Sequence, residues 1–426
     1  MLHCFRLLFW ACLLLSASTR PLWAFGTSYS KLPADLDQVE ISLHTVDVGN
    51  LIYNNFGHTA IRVVDKLSGR DLVFNWGIFD FRDPLAFSLR FYRGSLLYKL
   101  GIYSFGDAYE SYVFERRTVW EDTLDLTREQ KEIFLKRLIW NAAKENRSYA
   151  YQHFFDNCST RPRDYIDEAL GGLLRKATVD ILTPLSFRDM VYDGYKFNPG
   201  MDVFLDIAVN SRVDRPMTSW EKMFHPIALR EGLLATTIDG RPLIKASRTI
   251  VNYQGPQDYK DLAYPTILIV LGLPLALIAL IFFFRTAQPW VYRLLALVGL
   301  PLLSLGSLIG FLMPVTWVVS GHEDLHHNVN QFLFWPLDFL LIPLLLTMLW
   351  KGRPMKLGSR GYAWGRGYLL AHMVISLCLP LLFVLGLVHQ EVGRVTVYIL
   401  PVYLVLLLLI YRVGLRAEDV ASHLGP

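Results

Sequence analysis

The chain has 426 residues, 53% hydrophobic and 19% charged, with a mean hydropathy of +0.30 and a formal net charge of +4. It is too apolar for a purely soluble protein and too charged for a pure membrane bundle, so both parts are expected. The small net charge, with no basic stripe interleaved with aromatics, argues against a nucleic-acid partner, and there is no internal repeat, Gly-rich phosphate loop or CxxC pair.

Residues 1–24 carry one early cation, Arg6, then an apolar run from Leu7 to Leu15 and small residues. This is the pattern of a secretory signal. Cleavage after Ala24, cleavage after Ser18 and retention as an anchor all fit it. Residues 25–250 have the composition of a globular domain with its own core. Strands are expected at 41–46, 56–64 and 71–76, the last two joined by the turn Asp65-Lys-Leu-Ser-Gly-Arg70 into a hairpin. Alternation puts Ile61 and Val63 on one face and His58, Ala60 and Arg62 on the other. Further strands are expected at 98–103 and 119–124. Thr127-Arg-Glu-Gln130 is a capping-box entry to a helix reaching about Asn146. The expected class is α+β, a small antiparallel sheet with helices packed on it. Residues 182–248 read as mixed, and 251–263 as a linker.

Membrane-length apolar runs follow at about 264–284, 294–319, 332–350, 369–389 and 395–411. They predict an all-α transmembrane bundle of about five helices within 264–416. Lys351, Arg353, Lys356, Arg360 and Arg366 crowd the third connection, whereas 321–331 has no Lys or Arg. Positive-inside counting therefore puts the soluble domain and the second connection outside the cytoplasm, in a multi-pass protein of the bacterial inner membrane.

Of the four cysteines, Cys4 and Cys12 lie in the leader and Cys378 in a late apolar run. Cys158 is the one cysteine of the expected exported region, where an unpaired thiol is a liability unless sealed away or used. It precedes a helix entry, with Ser159 or Thr160 as cap, Pro162 in the first turn and Gly171-Gly172 as the stop. Helix-start N–H groups and the nearby Arg161 and Arg163 would both favour a thiolate. A nucleophilic cysteine needs a base and a group to orient that base. His58, at a strand start behind a glycine, is the best-placed base, and His153 the runner-up. Asn75 on the paired strand, or Asp80 beyond it, is the orienting group. A buried structural cysteine is the alternative.

The polar connection Gly321-His-Glu-Asp-Leu-His-His-Asn-Val-Asn330 reads as a solvated loop, as headgroup contacts from His322, His326 and Asn330, or as a metal site on His322, His326, His327 and Glu323. Arg161 and Arg163 suit a phosphate, or equally pair with Asp156 or Asp164.

Four motifs, Phe56-Gly-His-Thr-Ala-Ile-Arg62, Phe74-Asn-Trp-Gly-Ile-Phe-Asp-Phe81, Tyr149-Ala-Tyr151 and Asn157-Cys-Ser-Thr-Arg161, resemble the Lnb N-terminal periplasmic domain family. This is the family of the Bacteroides-type lipoprotein N-acyltransferase. The resemblance continues through Ala208-Val-Asn-Ser-Arg-Val-Asp-Arg-Pro-Met217, and a multi-span C-terminal half is typical of it. The order His58 before Cys158 is similar to the permuted papain-like order of lecithin:retinol acyltransferase. The resemblance implies a papain-like (permuted) domain, with Cys158 as nucleophile and His58 as base. It implies a phospholipid acyl donor, a thioester intermediate and no cofactor or metal. Together these readings give a membrane-anchored thiol acyltransferase passing an acyl chain to a lipoprotein amine, with catalytic Cys158, His58, Asn75 and Asp80. Asn157, Arg161, Arg163, His322, His326 and Asn330 are the expected substrate contacts. The competing readings are a cysteine hydrolase (cell-wall amidase, peptidase or lipase) and a non-catalytic receptor or assembly module.

Overall fold

A computed structural model describes residues 28–49, 54–79, 83–195, 198–253, 272, 289–352 and 360–403. The leader with Cys4 and Cys12, Asp80, nearly all of the first apolar run and of the linker, and the end of the last run lie outside the described residues. The chain divides into two compact units, Met1–Pro184 with Pro216–Tyr259, and Leu185–Arg215 with Lys260–Pro426. The stretch 185–215 thus groups with the apolar half and interrupts what the sequence suggested was one continuous domain.

The first unit is mixed α/β. Its sheet is built from β1 (Val39–Val46), β2 (His58–Asp65), β3 (Arg70–Ile78), β4 (Leu97–Ser104), β5 (Val119–Leu124), β6 (Ser148–Ala150) and β7 (Ile244–Val251). The order is β7-β5-β1-β2-β3-β4-β6, and every pairing is antiparallel. The expected hairpin is β2–β3, with Ala60 opposite Asn75 and Ile61 opposite Phe74. Ile41, Leu43, Ile61, Val63, Phe74 and Trp76 form the main core. Against them pack α3 (Arg128–Ala142) and α4 (Thr160–Ala169), through Phe134, Leu135, Leu138, Tyr165 and Ile166. Helix α3 starts with the expected capping box of Thr127 and Gln130 and ends at Ala142, four residues before the expected stop. Asn141 inside it accepts from Trp76 Nε1 at 2.8 Å and from the Tyr165 hydroxyl at 2.9 Å, tying sheet and helices through one buried carboxamide.

A second layer adds helices that sequence reading did not assign. Helix α1 (Pro84–Tyr92) links β3 to β4, with Asp83 capping it through the Ala86 N–H. Helix α2 (Phe105–Glu115) packs Ala108 and Tyr112 on Val46, Ala60, Val73 and Val119. Beneath it Glu121 binds His44 Nε2 (2.9 Å), Arg62 (2.6 Å) and Arg248 Nε (2.7 Å), a buried ion cluster in which each charge has a partner.

In the second unit, α5 (Phe187–Tyr195) and α6 (Pro199–Ala208) accompany α8 (Pro289–Val319), α9 (Ile342–Lys351) and α10 (Arg360–Val384); α7 (Pro226–Ala235) belongs to the first unit. Among the described residues two helical segments, Tyr292–Val319 and Ala363–Val384, are long and apolar enough to cross a membrane. Glu323–Phe332 with Pro336–Lys351, bent by 46°, makes a third if counted as one span, so the described residues support two or three of the five expected. The 321–331 connection is not a solvated loop. Asn328 donates to the Ile207 and Ala208 carbonyls (2.9 and 2.8 Å), and Asn330 to those of Asp206 and Ile207 (3.0 and 3.1 Å). These are the carbonyls a helix end leaves unsatisfied, so the connection caps α6. His372 is fully buried, with Nε2 2.9 Å from Asp338 Oδ1. The hydroxyls of Tyr368 (2.9 Å) and Tyr403 (2.6 Å) donate to the same carboxylate.

Candidate active site

The site begins with a glycine. Gly57 has φ +78°, and a Cβ there would lie 2.6 Å from the Val46 carbonyl oxygen. Only glycine lets the chain turn this closely against β1 before entering β2. His58 is therefore delivered at the first position of β2, opposite Val46. Because Ala60 faces Asn75, Asn75 is the diagonal neighbour of His58 on the same face. Its Oδ1 lies 2.7 Å from His58 Nε2. Next to it β3 is irregular: Gly77 has φ +104°, its pairing with β4 shifts register between Trp76 and Ile78, and a Cβ at Gly77 would approach His58 Cε1 to 3.8 Å.

Cys158 reaches this ring from a position 100 residues away in sequence. The lock is a buried pair of hydroxyls, Thr59 Oγ1 to Ser159 Oγ at 2.8 Å. Each is the residue immediately after one member of the candidate pair, so joining 59 to 159 brings 58 to 158. The Cys158 sulfur is half-buried, with Ser159 Oγ 4.0 Å away, and His58 and the Thr59 backbone N–H both act on it to favour its charged form. With Nε2 on Asn75, the ring nitrogen left for the sulfur is Nδ1.

Burial alone would raise the Cys158 thiol, but the charge and hydrogen bond of His58 outweigh it and hold the thiol below its ordinary value. Burial likewise pushes the His58 imidazolium down, and Cys158, followed by Asn75, overcomes this and holds it above its ordinary value. Both directions favour a thiolate–imidazolium pair.

The helix start is organised differently from the expectation. Neither Ser159 nor Thr160 caps α4 with its side chain. Asn157 does: its Oδ1 accepts from the Ser159 and Thr160 N–H groups (2.8 and 2.9 Å). Its Nδ2 donates to the carbonyls of His153 (2.7 Å) and Phe224 (3.0 Å). Asn157 is thus the structural cap of α4. Two of the helix-start N–H groups expected to favour a thiolate are occupied by its side chain. Gly171 and Gly172, both at positive φ, follow α4 as expected.

The arginines are also engaged. Arg161 forms a two-bond pair with Asp156 (2.7 and 2.8 Å) and lies over the Tyr149 ring. Arg163 binds Asp164 (2.9 Å) and the Trp220 carbonyl (3.0 Å) and stacks on the Trp220 ring. The duller of the two readings, internal ion pairs, is the observed one. The positive charge beside the sulfur is His58. His153 is packed against Phe56, Phe154 and Phe224, and burial, with the His225 charge second, lowers it to about 4, a poor value for a base at neutral pH.

Asp80 lies outside the described residues. His322, His326 and Asn330 lie in the second unit. There His326 Nε2 meets the Ser320 carbonyl at 2.8 Å and Asn330 caps α6. No group of three or more His, Cys, Asp or Glu able to hold a metal occurs among the described residues, so the alternative of a metal site on this connection does not assemble there. Sequence reading missed the Thr59–Ser159 lock, although a hydroxyl directly after each candidate residue was a visible signal.

With this geometry in place, comparison with known proteins adds one finding. Residues 28–192 match the family model of the Lnb N-terminal periplasmic domain. The chain is similar to that family over this stretch, which is under half of its length. The match covers β1 through most of α5 and includes His58, Asn75 and Cys158. No curated protein and no solved structure gave a match. A periplasmic domain of this family, followed by two or three membrane-capable helices, fits a membrane-associated Lnb-type protein whose N-terminal domain is periplasmic.

Proposed function

We propose that the protein is a thiol acyltransferase that takes an acyl chain from a phospholipid and passes it to the N-terminal amine of a lipoprotein. The observation that carries this reading is the grouping of Cys158, His58 and Asn75, with Asn75 Oδ1 2.7 Å from His58 Nε2 and the Thr59–Ser159 hydroxyl pair at 2.8 Å joining the residues next to the histidine and the cysteine.

In the first half-reaction the Cys158 thiolate attacks the ester carbonyl carbon. A carbon–sulfur bond forms, and the carbonyl electrons move to oxygen, which the Cys158 N–H stabilises. Collapse breaks the ester carbon–oxygen bond, and the imidazolium of His58 gives its proton to the departing lysophospholipid oxygen. The product is a thioester on Cys158 and a neutral His58. In the second half-reaction the amine attacks the thioester, His58 takes the amine proton, and the thiolate leaves as the amide forms. Asn75 keeps the ring in the orientation both steps require. A thioester suits this sequence because amines attack it more readily than they attack an oxygen ester.

The test is purified protein in detergent or nanodiscs with a phospholipid carrying an alkyne-tagged acyl chain. A hydroxylamine-sensitive tag on the Cys158 peptide, discharged by a diacylglyceryl-cysteine peptide with transfer of the tag to its amine, is expected. Tag released as free fatty acid, with none on the peptide, would identify a lipase instead. Absence of any adduct at Cys158 would remove the acyl-enzyme reading.

A further inference from the structure

Helix α1 (Pro84–Tyr92) presents apolar side chains outward: Leu85 is 71% and Leu89 54% exposed. Being four residues apart, they lie one above the other on the same helix face. Leu97, just beyond the helix, is also 54% exposed. Arg90 and Arg93 are exposed beside them, and residues 84–97 contain no Asp or Glu. Aliphatic side chains mixed with cations and free of acids fit a bilayer surface, where the leucines enter the acyl region and the guanidinium groups meet anionic headgroups.

The inner side of α1 leads toward the candidate site. Phe91 stacks with Phe87 at 6.4 Å and 7°, and Phe87 packs on Phe79 at 5.4 Å. Phe79 meets Tyr98 at 5.2 Å, and Tyr98 stacks on Tyr151 at 4.3 Å and reaches Tyr149 at 6.4 Å. Tyr149 belongs to the same packed core as Cys158. A row of packed rings therefore connects the inner side of α1 to the core that holds the sulfur.

We propose that α1 is an in-plane membrane-docking helix, joined by the aromatic row to the core that holds Cys158. The proposal does not rest on the acyltransferase reading.

The experiment is photocrosslinking of the full chain, with Cys158→Ser, in phosphatidylglycerol–phosphatidylethanolamine nanodiscs containing a lipid with a diazirine on its acyl chain. Adducts are mapped by mass spectrometry, those on the apolar helices serving as the internal reference. Adducts on residues 84–97 are expected, falling several-fold relative to the reference in the double variant Leu85→Asp, Leu89→Asp. In Arg90→Glu, Arg93→Glu they should fall in anionic nanodiscs and hold in purely zwitterionic ones. Adducts confined to the apolar helices, or chain-to-chain crosslinks at α1 in their place, overturn the proposal. Because the nucleophile is absent, a failure of acyl transfer in the earlier assay leaves this result untouched. Crosslinking can likewise fail while transfer succeeds, so the two claims fall separately.

Discussion

Asn75 Oδ1 lies 2.7 Å from His58 Nε2, and the two residues sit on adjacent strands with Ala60 opposite Asn75. The hairpin register therefore fixes which imidazole nitrogen is left for Cys158. Asn75→Ala should lower acyl-enzyme formation on the order of 10²-fold, the typical loss when a reacting group is displaced by about an ångström. His58→Ala should cost about 10²–10⁴-fold, and Cys158→Ala should abolish the adduct. Single-turnover labelling with the tagged phospholipid measures all three. An unaffected Asn75→Ala would show that packing alone holds the ring.

The opposed shifts of Cys158 and His58 set a pH window. The thiol is lowered, so the thiolate persists as pH falls below the ordinary thiol value. The imidazole is raised, so it stays protonated as pH rises above its own ordinary value. Both shifts raise the population of the charged pair between the ordinary imidazole and thiol values. Iodoacetamide modification of the Cys158 peptide, followed by mass spectrometry, should stay fast below the ordinary thiol pKa. In His58→Gln burial remains while the countercharge is gone, so the alkylation profile should move to higher pH, past the ordinary value.

Glu121 is 4% exposed. Burial would raise it, yet His44 and Arg62 bring it down to about 2. A depressed carboxylate contributes stability that is present above its unfolded value, near 4.5, and is lost as pH falls toward 2. Glu121→Ala should cost about 3 kcal/mol, because it removes the buried carboxylate that joins His44 to Arg62 and leaves Arg62 with Asp71 alone. Thermal melts should show the wild type losing stability on acidification through that range, and the variant losing less.

Asn157 and Arg161 separate structure from recognition. Asn157→Ala removes the α4 cap and two further donor contacts, so melting should fall by about 1–2 kcal/mol or more, with slower Cys158 acylation. Arg161→Gln breaks a partly exposed pair with Asp156 and the stacking on Tyr149, and should change stability by about 1–2 kcal/mol or less. Its KM for phosphatidylglycerol should hold. A rise in KM without loss of stability would restore Arg161 as a headgroup contact.

Much of the candidate site was legible in the linear chain. The lone cysteine before a helix entry, the histidine behind Gly57 and the carboxamide on the paired strand were all visible, because a two-residue period and a short turn fix what faces what. The roles of Asn157, Arg161 and Arg163 were not. Asn157 is held by a carbonyl from residue 224 and Arg163 by the carbonyl and ring of Trp220, and no local pattern announces partners that far along the chain. Residues 185–215 show no composition break, yet their helices find their caps in the apolar half, where Asn328 and Asn330 satisfy the last carbonyls of α6.

By itself the sequence determined the sheet's hairpin, the apolar C-terminal half and the identity of the candidate nucleophile and base, since each depends on periodicity or on side-chain chemistry. Only the tertiary structure decided that Thr59 and Ser159 bond across 100 residues and so bring sulfur and imidazole together. Chain order carries no information about such a contact. It arises when β2 and the start of α4 are packed against one core and two buried hydroxyls must find each other.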